Sequence, residues 1–316
     1  MHTEAMKEKI RDTGREQRLK RLVNQARERE LEAKLPRWGE AGEIILRRGA
    51  LVGCHFYCYY VLDRTLTEAK KLICAYEKVG KDFPSGGVII ARTLKDARGR
   101  WNRVWHAPEG GVWLTLVIYP DTLREHNHLY TLSAGLACCE TIRAYGVAAH
   151  VKWVNDIHVN GKKMGGILTL GYISERFKQE YLLMGIGINV NNHLFPKDLE
   201  EGGQSIFGST GIKVDLDVFI ATLISKLGFY MGMVSHHEQQ LLNAAMDSTS
   251  LNNPIVDIFK EFSDTIGRKV AYGVDVMKEP LFEAQVWDID NDGSLILLTK
   301  PHNHKQKRFS GEILYL

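Results

Sequence analysis

Three arginines and two tryptophans occur within residues 97–105 (ARGRWNRVW), a density of cationic and aromatic side chains that suits a charged ligand. Arginine presents a planar fork of donors that matches phosphate and carboxylate groups. Gly99 lets the backbone approach a ligand and adopt a positive φ, and a tryptophan can stack on adenine. The segment therefore predicts a loop that binds a nucleotide. Composition alone also leaves open a basic surface loop with a packed tryptophan.

A second segment, residues 152–168 (KWVNDIHVNGKKMGGIL), carries lysines on both sides of a turn. The Asn-Gly pair at 160–161 is a type I′ hairpin signal. Such a hairpin would bring Lys152 and Lys163 toward one point, where their charges repel unless a carboxylate or a phosphate lies between them. The Gly-Gly pair after Lys163 leaves room for a ligand against the backbone. The pattern predicts an anion site, with a solvated hairpin tip as the alternative.

A third segment, residues 185–192 (GIGINVNN), alternates small and β-branched residues and ends in asparagines. It predicts a strand whose glycine face meets another group closely, followed by a turn. Alone it is weak evidence, because the dinucleotide-binding fingerprint needs a third glycine that opens a helix.

The elements that would position these segments divide the chain into three parts. Residues 1–45 are highly charged with a thin apolar stripe, which predicts one solvent-exposed helix that ends near Pro36. Residues 46–266 alternate between strand and helix patterns, which predicts a mixed α/β domain. Residues 267–316 read as strands and turns, including the hairpin signal Asn291-Asp292-Gly293, and predict a small β-barrel.

Bulk properties exclude several function classes. The net charge of +3 is too small to imply nucleic-acid binding, and the N-terminal helix shows no helix-turn-helix pattern, so DNA is not an expected partner. No signal-peptide core and no apolar run long enough to span a bilayer is evident, so we expect a cytoplasmic protein. The five cysteines form no Cys-x-x-Cys pair and are expected to be free thiols without a metal.

Together the three segments resemble the biotin protein ligase family, part of the biotin and lipoate ligase superfamily. The family's patterns are approximately Gly-Arg-Gly-Arg with a following Trp, Lys-Trp-Pro-Asn-Asp with a following Lys-x-x-Gly-Ile-Leu, and Gly-x-Gly-Ile-Asn-x-Asn. They occur here in the same order, and the resemblance covers roughly residues 55–316. It implies an α+β fold: a mixed-sheet, class II synthetase-like ligase domain, a C-terminal SH3-like barrel and an N-terminal helical extension.

The resemblance also implies roles for individual residues. Lys163 would contact the acid's carboxylate and the phosphate of an acyl-adenylate, while Arg98 and Arg100 would neutralise the triphosphate; these three are the catalytic candidates. The nucleotide-binding candidates are Trp105, Lys152, Asn155, Asp156 and Asn189. The substrate-binding candidates are Arg64, Thr65, Leu94, Gly99, Gly165 and Gly166.

The implied reaction is the ATP-dependent activation of biotin or a related carboxylic acid. The carboxylate attacks the α-phosphate of ATP, and positioned arginine, lysine and Mg²⁺ offset the charge repulsion in that step. A lysine of a carrier-protein domain, similar to a biotin carboxyl carrier, then attacks the mixed anhydride. A loop closed over the adenylate would exclude water. The resemblance also allows a homodimer.

The chain departs from the family where the ring of biotin is expected. Arg64-Thr65-Leu66 stands in place of Ser-Thr-Asn, and Leu94 in place of a glutamine. Both changes remove polar groups, and a buried ureido group without partners is costly. One hypothesis is therefore an acid other than biotin, carrying a second anionic or polar group that pairs with Arg64. Ala97 and Val154 replace a glycine and a proline of the family motifs, which are milder changes.

Two competing functions remain open at this point. One is a related ligase or acyl transferase for lipoate, octanoate or another acid; Trp105 and the small C-terminal barrel favour the biotin branch, by analogy. The other is a non-catalytic ligand-binding regulator on the same fold. Intact Lys163, Arg98 and Arg100 favour an enzyme, because a binding protein need not keep them.

Overall fold

The computed structural model describes residues 10–192, 194–196, 202–244, 251–301 and 304–316. Two sheets organise these residues. The first has seven strands in the order β1-β2-β3-β7-β6-β5-β4, in which β1 and β2 run parallel and the other neighbours are antiparallel. Its strands are β1 (Phe56–Leu62), β2 (Gly87–Leu94), β3 (Val112–Ile118), β4 (His150–Lys152), β5 (Asp156–Val159), β6 (Lys162–Ile173) and β7 (Glu180–Ile188).

Helices cover both faces of this mixed sheet. They are α1 (Thr13–Trp38), α2 (Glu40–Arg48), α3 (Thr65–Lys78), α4 (His128–Arg143), α5 (Ile206–Thr210), α6 (Leu216–Ala244) and α7 (Pro254–Phe262). Alternate residues of each strand point to opposite faces. Tyr57 and Tyr59 accordingly join one apolar cluster with Ile73 of α3, whereas Phe56 and Cys58 join the larger core that contains α4 and α6. The sequence thus predicted the mixed α+β class correctly.

The second sheet is antiparallel throughout and has the order β11-β10-β9-β8-β12. Its strands are β8 (Lys269–Gly273), β9 (Phe282–Ile289), β10 (Leu295–Thr299), β11 (His304–Arg308) and β12 (Glu312–Tyr315). The predicted hairpin at Asn291-Asp292-Gly293 is present between β9 and β10, with a positive φ at Gly293. A C-terminal β region therefore follows the mixed domain, as expected.

The N-terminal region differs from the expected single exposed helix. Helix α1 runs through Pro36 to Trp38, and a second helix, α2, follows it. Leu19 and Val23 of α1 are fully buried in the main core, so the apolar stripe is an internal packing face. The stripe is thin because long charged side chains occupy most of the helix, yet a few leucine and valine residues suffice to dock it.

Buried charges fix α1 against α4 and α6. Glu140 of α4 accepts hydrogen bonds from Lys34 (2.8 Å), Lys226 (2.9 Å) and the Tyr230 hydroxyl (2.8 Å). Lys226 also donates to Glu30 at 2.8 Å. We call these five residues the helix network. Burial opposes ionisation of Glu140, but the charges of Lys226 and Lys34 lower its pKa to about 2.

Helix α6 runs for 29 residues, from Leu216 to Ala244. It is the one helix among the described residues that is long and apolar enough to cross a membrane. Most of its apolar window, 89%, is buried inside the protein, where α6 packs against α1 and α4. These contacts are those of a central core helix. The five cysteines are free, as expected.

Candidate functional site

The three predicted segments meet at one cavity of about 350 Å³. Its walls come from the loop 97–105, from the hairpin of β5 and β6, from β7, and from the start of α3. The cavity also reaches the C-terminal sheet at Met277 and Glu312. Sequence positions more than two hundred residues apart thus share one concave surface, which is the usual form of a small-molecule site.

The hairpin between β5 and β6 forms as predicted and positions Lys163. Asn160 and Gly161 both have positive φ values, 50° and 77°, as a type I′ turn requires. The Nζ atom of Lys163 lies 2.6 Å from Oδ1 of Asp156. Burial disfavours the charged form of Asp156, but the Lys163 charge and hydrogen bonds from His158 and Lys163 hold its pKa well below the usual range. The ion pair is therefore intact at neutral pH.

Lys152 lies at the end of β4 and lines the same cavity. Its Nζ sits 4.8 Å from the ring centroid of Tyr315 in the C-terminal sheet. Burial lowers the pKa of Lys152, and the nearby Lys163 charge lowers it further. Lys152 and Lys163 share the cavity with the carboxylates of Asp156 and Glu312. Because Arg98 and Arg100 also line it, the cavity keeps a positive excess that suits an anionic ligand.

The arginine loop, residues 97–105, folds as a small hairpin. The amide of Gly99 donates to the carbonyl of Arg103 at 2.9 Å, and the amide of Trp105 donates to the carbonyl of Ala97 at 2.9 Å. The expectation that Gly99 supplies a positive φ is wrong, since its φ is −91°. The left-handed residues are instead Trp101 (54°) and Asn102 (60°), which form the tip.

Trp105 lies on the floor of the cavity against the glycine face of β7. A Cβ built on Gly187 would come within 3.1 Å of its Nε1, so a larger residue there would push the indole ring away from the strand. The ring makes an edge contact with Trp113 and lies 5.4 Å from Nζ of Lys163. Its Nε1 is buried and has no hydrogen-bond partner in the part of the chain that the structure describes. The glycine face inferred from the third segment is thereby explained.

The far end of the cavity is mainly apolar. Leu66 packs over Gly185, where an added Cβ would lie 3.1 Å from its Cδ1. Leu94 lines the wall beside it. The polar exception is Thr65, which is buried and accepts a hydrogen bond from the Thr115 hydroxyl at 2.8 Å. Its own hydroxyl proton is therefore available to an acceptor on a ligand.

The guanidinium of Arg64 is paired within the protein and is not free to bind a ligand. Its guanidinium donates to the backbone carbonyl of Asp96 at 2.8 Å and pairs with the Asp96 carboxylate. Arg98 donates to the other oxygen of that carboxylate at 2.7 Å. Hydrogen bonds from Arg64 and Arg98 lower the pKa of Asp96. The sequence hypothesis pairs Arg64 with a second anionic group on the acid. In the structure, the anionic partner of Arg64 is instead Asp96 of the protein itself.

Most predicted site residues line the cavity. They are Arg64, Thr65, Leu94, Arg98, Gly99, Arg100, Trp105, Lys152, Asn155, Asp156, Lys163 and Gly166. Gly165 does not line it; a Cβ there would approach the carbonyl of Gly187, so this glycine allows neighbouring strands to pack. Asn189 does not line it either, because its buried side chain accepts a hydrogen bond from Asn192 at 2.9 Å.

Sequence reasoning missed several residues of the site. Asp96 holds two arginines, Trp113 packs on Trp105, and Met277 and Glu312 bring in the C-terminal sheet. Asp96 stood between Leu94 and the arginine loop and could have been noticed as the only carboxylate in that stretch. The contribution of the C-terminal sheet depends on how the two sheets meet, and no local pattern encodes that.

The donor set for a metal ion is sparse. No group of three or more His, Cys, Asp or Glu side chains that could hold a metal occurs among the described residues. Mg²⁺ commonly binds through one or two carboxylates together with substrate phosphates. Asp156 is a carboxylate placed for such a shared site, so the residues fit an ion that arrives with a nucleotide.

The fold is that of biotin protein ligases. The structure resembles the biotin protein ligase from Aquifex aeolicus in complex with biotin and ATP, with a TM-score of 0.64 and 18% identity, over 83% of this chain and 98% of that chain. The apo structure of the Aquifex aeolicus enzyme gives a TM-score of 0.60 with 18% identity and the same coverage. At this identity the likeness concerns the fold alone.

Sequence comparison then gives the family. The biotin/lipoate A/B protein ligase family model matches residues 69–189. The bifunctional ligase/repressor BirA of Bacillus subtilis is 35% identical over 56% of this chain and 54% of its own length. The biotin–[acetyl-CoA-carboxylase] ligase of Paracoccus denitrificans is 33% identical over 51% and 66%. The chain spans about half the length of the BirA relatives from Bacillus that it matches. It belongs to the biotin/lipoate A/B protein ligase family.

Proposed function

We propose that this protein is an ATP-dependent ligase that activates biotin as its acyl-adenylate and transfers it to a lysine of a carrier protein. One observation carries the proposal: the hairpin lysine Lys163 and the arginine loop line the same cavity of about 350 Å³. That volume lies in the range of small-ligand pockets. The relatives support it, since one is named a biotin–[acetyl-CoA-carboxylase] ligase and another a bifunctional ligase/repressor.

The residues divide the proposed ligand between two ends of the cavity. Lys163, Lys152 and Arg100 surround the end where a carboxylate and the α-phosphate would meet, and they offset the charge that develops as pyrophosphate leaves. Trp105 offers an aromatic face to the nucleotide base. Mg²⁺, when bound with ATP, would supply further positive charge to the phosphates.

In the second step, an amine of the acceptor attacks the carbonyl carbon of the anhydride, the bond to the phosphate oxygen breaks, and AMP leaves. Lys163 would then stabilise the oxyanion that forms, because its ammonium group is held at the cavity wall by Asp156. The lowered pKa of Asp156 makes it a poor proton acceptor, so its role is to position Lys163.

The acid pocket favours a ligand with an apolar body and one polar contact. Leu66 and Leu94 offer apolar surface, and Thr65 offers a hydroxyl donor. The carbonyl of a ureido ring could accept that donor. Arg64 is committed to Asp96, so the geometry does not support an acid whose second anionic group binds Arg64. A non-biotin acid of apolar character, such as lipoate or octanoate, is the second candidate, favoured by Leu66 and Leu94.

Domain organisation belongs to the same proposal. We assign residues 46–266 to a class II synthetase-like ligase domain and 267–316 to a small SH3-like barrel, supported by the mixed sheet and the five-stranded antiparallel sheet. We assign residues 1–45 to a helical extension, whose described part, from residue 10 onward, docks on the core through Leu19. A cytoplasmic location, a carrier domain as acceptor and a homodimer stay predictions.

The test is a pyrophosphate-release assay on the full chain with ATP, Mg²⁺ and biotin, lipoate or octanoate in parallel. We expect release with biotin and subsequent labelling of a biotin carboxyl carrier domain, read by streptavidin blot. Pyrophosphate release with lipoate or octanoate, but not with biotin, would identify that other acid as the substrate. Tight biotin binding by calorimetry without release from any acid would favour a ligand-binding regulator instead.

A further inference from the structure

We infer that Arg103 clasps the arginine loop onto the C-terminal sheet and that this clasp holds the loop over the cavity. Arg103 was not among the residues that the sequence motifs singled out for a role. The inference concerns how the loop is held, and its consequence for nucleotide binding rests on the proposed function. Arg103 is therefore a positioning residue, because its guanidinium is committed to protein carboxylates.

The contacts of Arg103 converge from two parts of the C-terminal sheet. Its guanidinium makes two hydrogen bonds to the carboxylate of Glu312, at 2.7 and 3.2 Å, in the bidentate geometry that gives arginine pairs their strength. It also pairs with Asp275, which follows β8. Glu312 opens β12 and is itself held by the amide of Val276 at 3.3 Å.

Arg100 reinforces the same junction. Its guanidinium donates to the carbonyl of Gly311 at 2.8 Å and lies 3.8 Å from the carboxylate of Glu312. Glu312 thus faces two arginines of one loop. The two arginines of the loop therefore bind three groups of the C-terminal region: the carboxylates of Asp275 and Glu312 and the carbonyl of Gly311.

Apolar packing holds the base of the loop, where Ala97 and Trp105 pack with Trp113, but it does little to hold the tip. Trp101 at its tip is 49% exposed and Val104 is 69% exposed. A short hairpin with exposed apolar residues gains little from burial and stays mobile unless polar contacts restrain it. The clasp supplies that restraint, so the C-terminal sheet sets how often the cavity opens.

Limited trypsin digestion tests the clasp without assuming any activity, because Arg98 and Arg100 are cleavage sites within the loop. Arg103→Gln should speed cleavage after these residues by roughly 10-fold, and Asp275→Asn, which leaves every loop arginine intact, by roughly 3-fold. Asp288→Asn is the matched control: it breaks a 2.8 Å ion pair between the same sheet and Lys260 of α7, away from the loop. It should leave cleavage unchanged.

A double variant identifies the pair. If Asp275 acts through Arg103, then Arg103→Gln with Asp275→Asn should be cleaved no faster than Arg103→Gln alone. In pyrophosphate release, the KM for ATP should rise more in Arg103→Gln than kcat falls, because an open loop weakens nucleotide binding before it affects chemistry. Cleavage of Arg103→Gln at the wild-type rate would overturn the clasp. Absence of pyrophosphate release from the wild type would overturn the proposed function and leave the digestion result to decide the clasp.

Discussion

Ion pairs have different roles in two regions of the molecule, the cavity and the helix network. In the cavity, Lys163 and Asp156 have side chains 36% and 27% exposed. In the helix network, Glu30 and Lys226 are 5% and 9% exposed. Pairs of the first kind remain open to solvent and can exchange one partner for a ligand. Pairs of the second kind are shut in by α1, α4 and α6 and hold the fold together.

The difference shows what a charge contributes in each setting. A partly exposed pair adds little to stability, so its cations are free to be used for binding and catalysis. A buried pair that loses one partner leaves an uncompensated charge, which is strongly destabilising. Substitutions at the cavity should therefore change activity with little change in stability, and substitutions in the helix network should do the reverse.

The largest expected effect is on activity at the cavity. Lys163→Met removes the ammonium group that, in the proposed function, would face the reacting carboxylate. The substitution should lower kcat for pyrophosphate release roughly 10³-fold, the usual cost of removing one positioned donor to developing charge. The thermal unfolding midpoint should move little. Lys162→Met is the matched control, because this neighbouring lysine is exposed and does not line the cavity. Equal activity of the Lys163→Met variant and the wild type would contradict the comparison.

The next effect is on stability in the helix network. Glu140→Gln leaves Lys34 and Lys226 without their shared carboxylate and should cost about 3 kcal/mol of unfolding free energy in denaturant titration. Glu261→Gln is the control, since Glu261 pairs with Arg37 of the same helix α1 at the surface, at 2.8 Å. An equal loss of unfolding free energy in both variants would show that burial does not determine how much an ion pair stabilises this protein.

The pH dependence follows from the direction of the Glu140 shift. Its pKa of about 2 in the folded protein lies below the ordinary value of 4.5, so it binds fewer protons folded than unfolded. The stability it contributes is present above pH 4.5 and is lost as the pH falls toward 2. Wild type should thus lose stability over this window, whereas Glu140→Gln should lose less. Identical acid-unfolding curves for both would refute this attribution.

The smallest effect concerns the acid pocket. Leu94→Gln restores a polar side chain on the cavity wall and should tighten biotin binding about 5-fold, the value of one net hydrogen bond. Leu94→Ala removes apolar surface without adding a donor and is the control. Calorimetry with biotin measures both. Tighter lipoate binding and weaker biotin binding in the Leu94→Gln variant would favour the second candidate substrate.

The sequence predicted the fold class and the hairpin that positions Lys163, because alternation and turn residues are local signals. It also placed Lys152, Lys163 and the arginine loop at one site. It missed the backbone role of Trp101 and Asn102, since a left-handed residue other than glycine leaves no pattern. It mistook α1 for an exposed helix, because the helix network joins residues about two hundred positions apart. The pairing of Arg64 with Asp96 was hidden for a related reason: proximity in the fold, rather than residue type, decides which anion an arginine takes.

Mass spectrometry of the protein after incubation with biotin, ATP and Mg²⁺, without an acceptor, tests the central claim most directly. The account predicts biotinyl-adenylate retained by the wild type and absent from the Lys163→Met variant, since that lysine lines the cavity where the proposed acid and phosphate would meet. Recovery of unreacted biotin and ATP from a correctly folded wild-type protein, with no adenylate of any acid supplied, would contradict it.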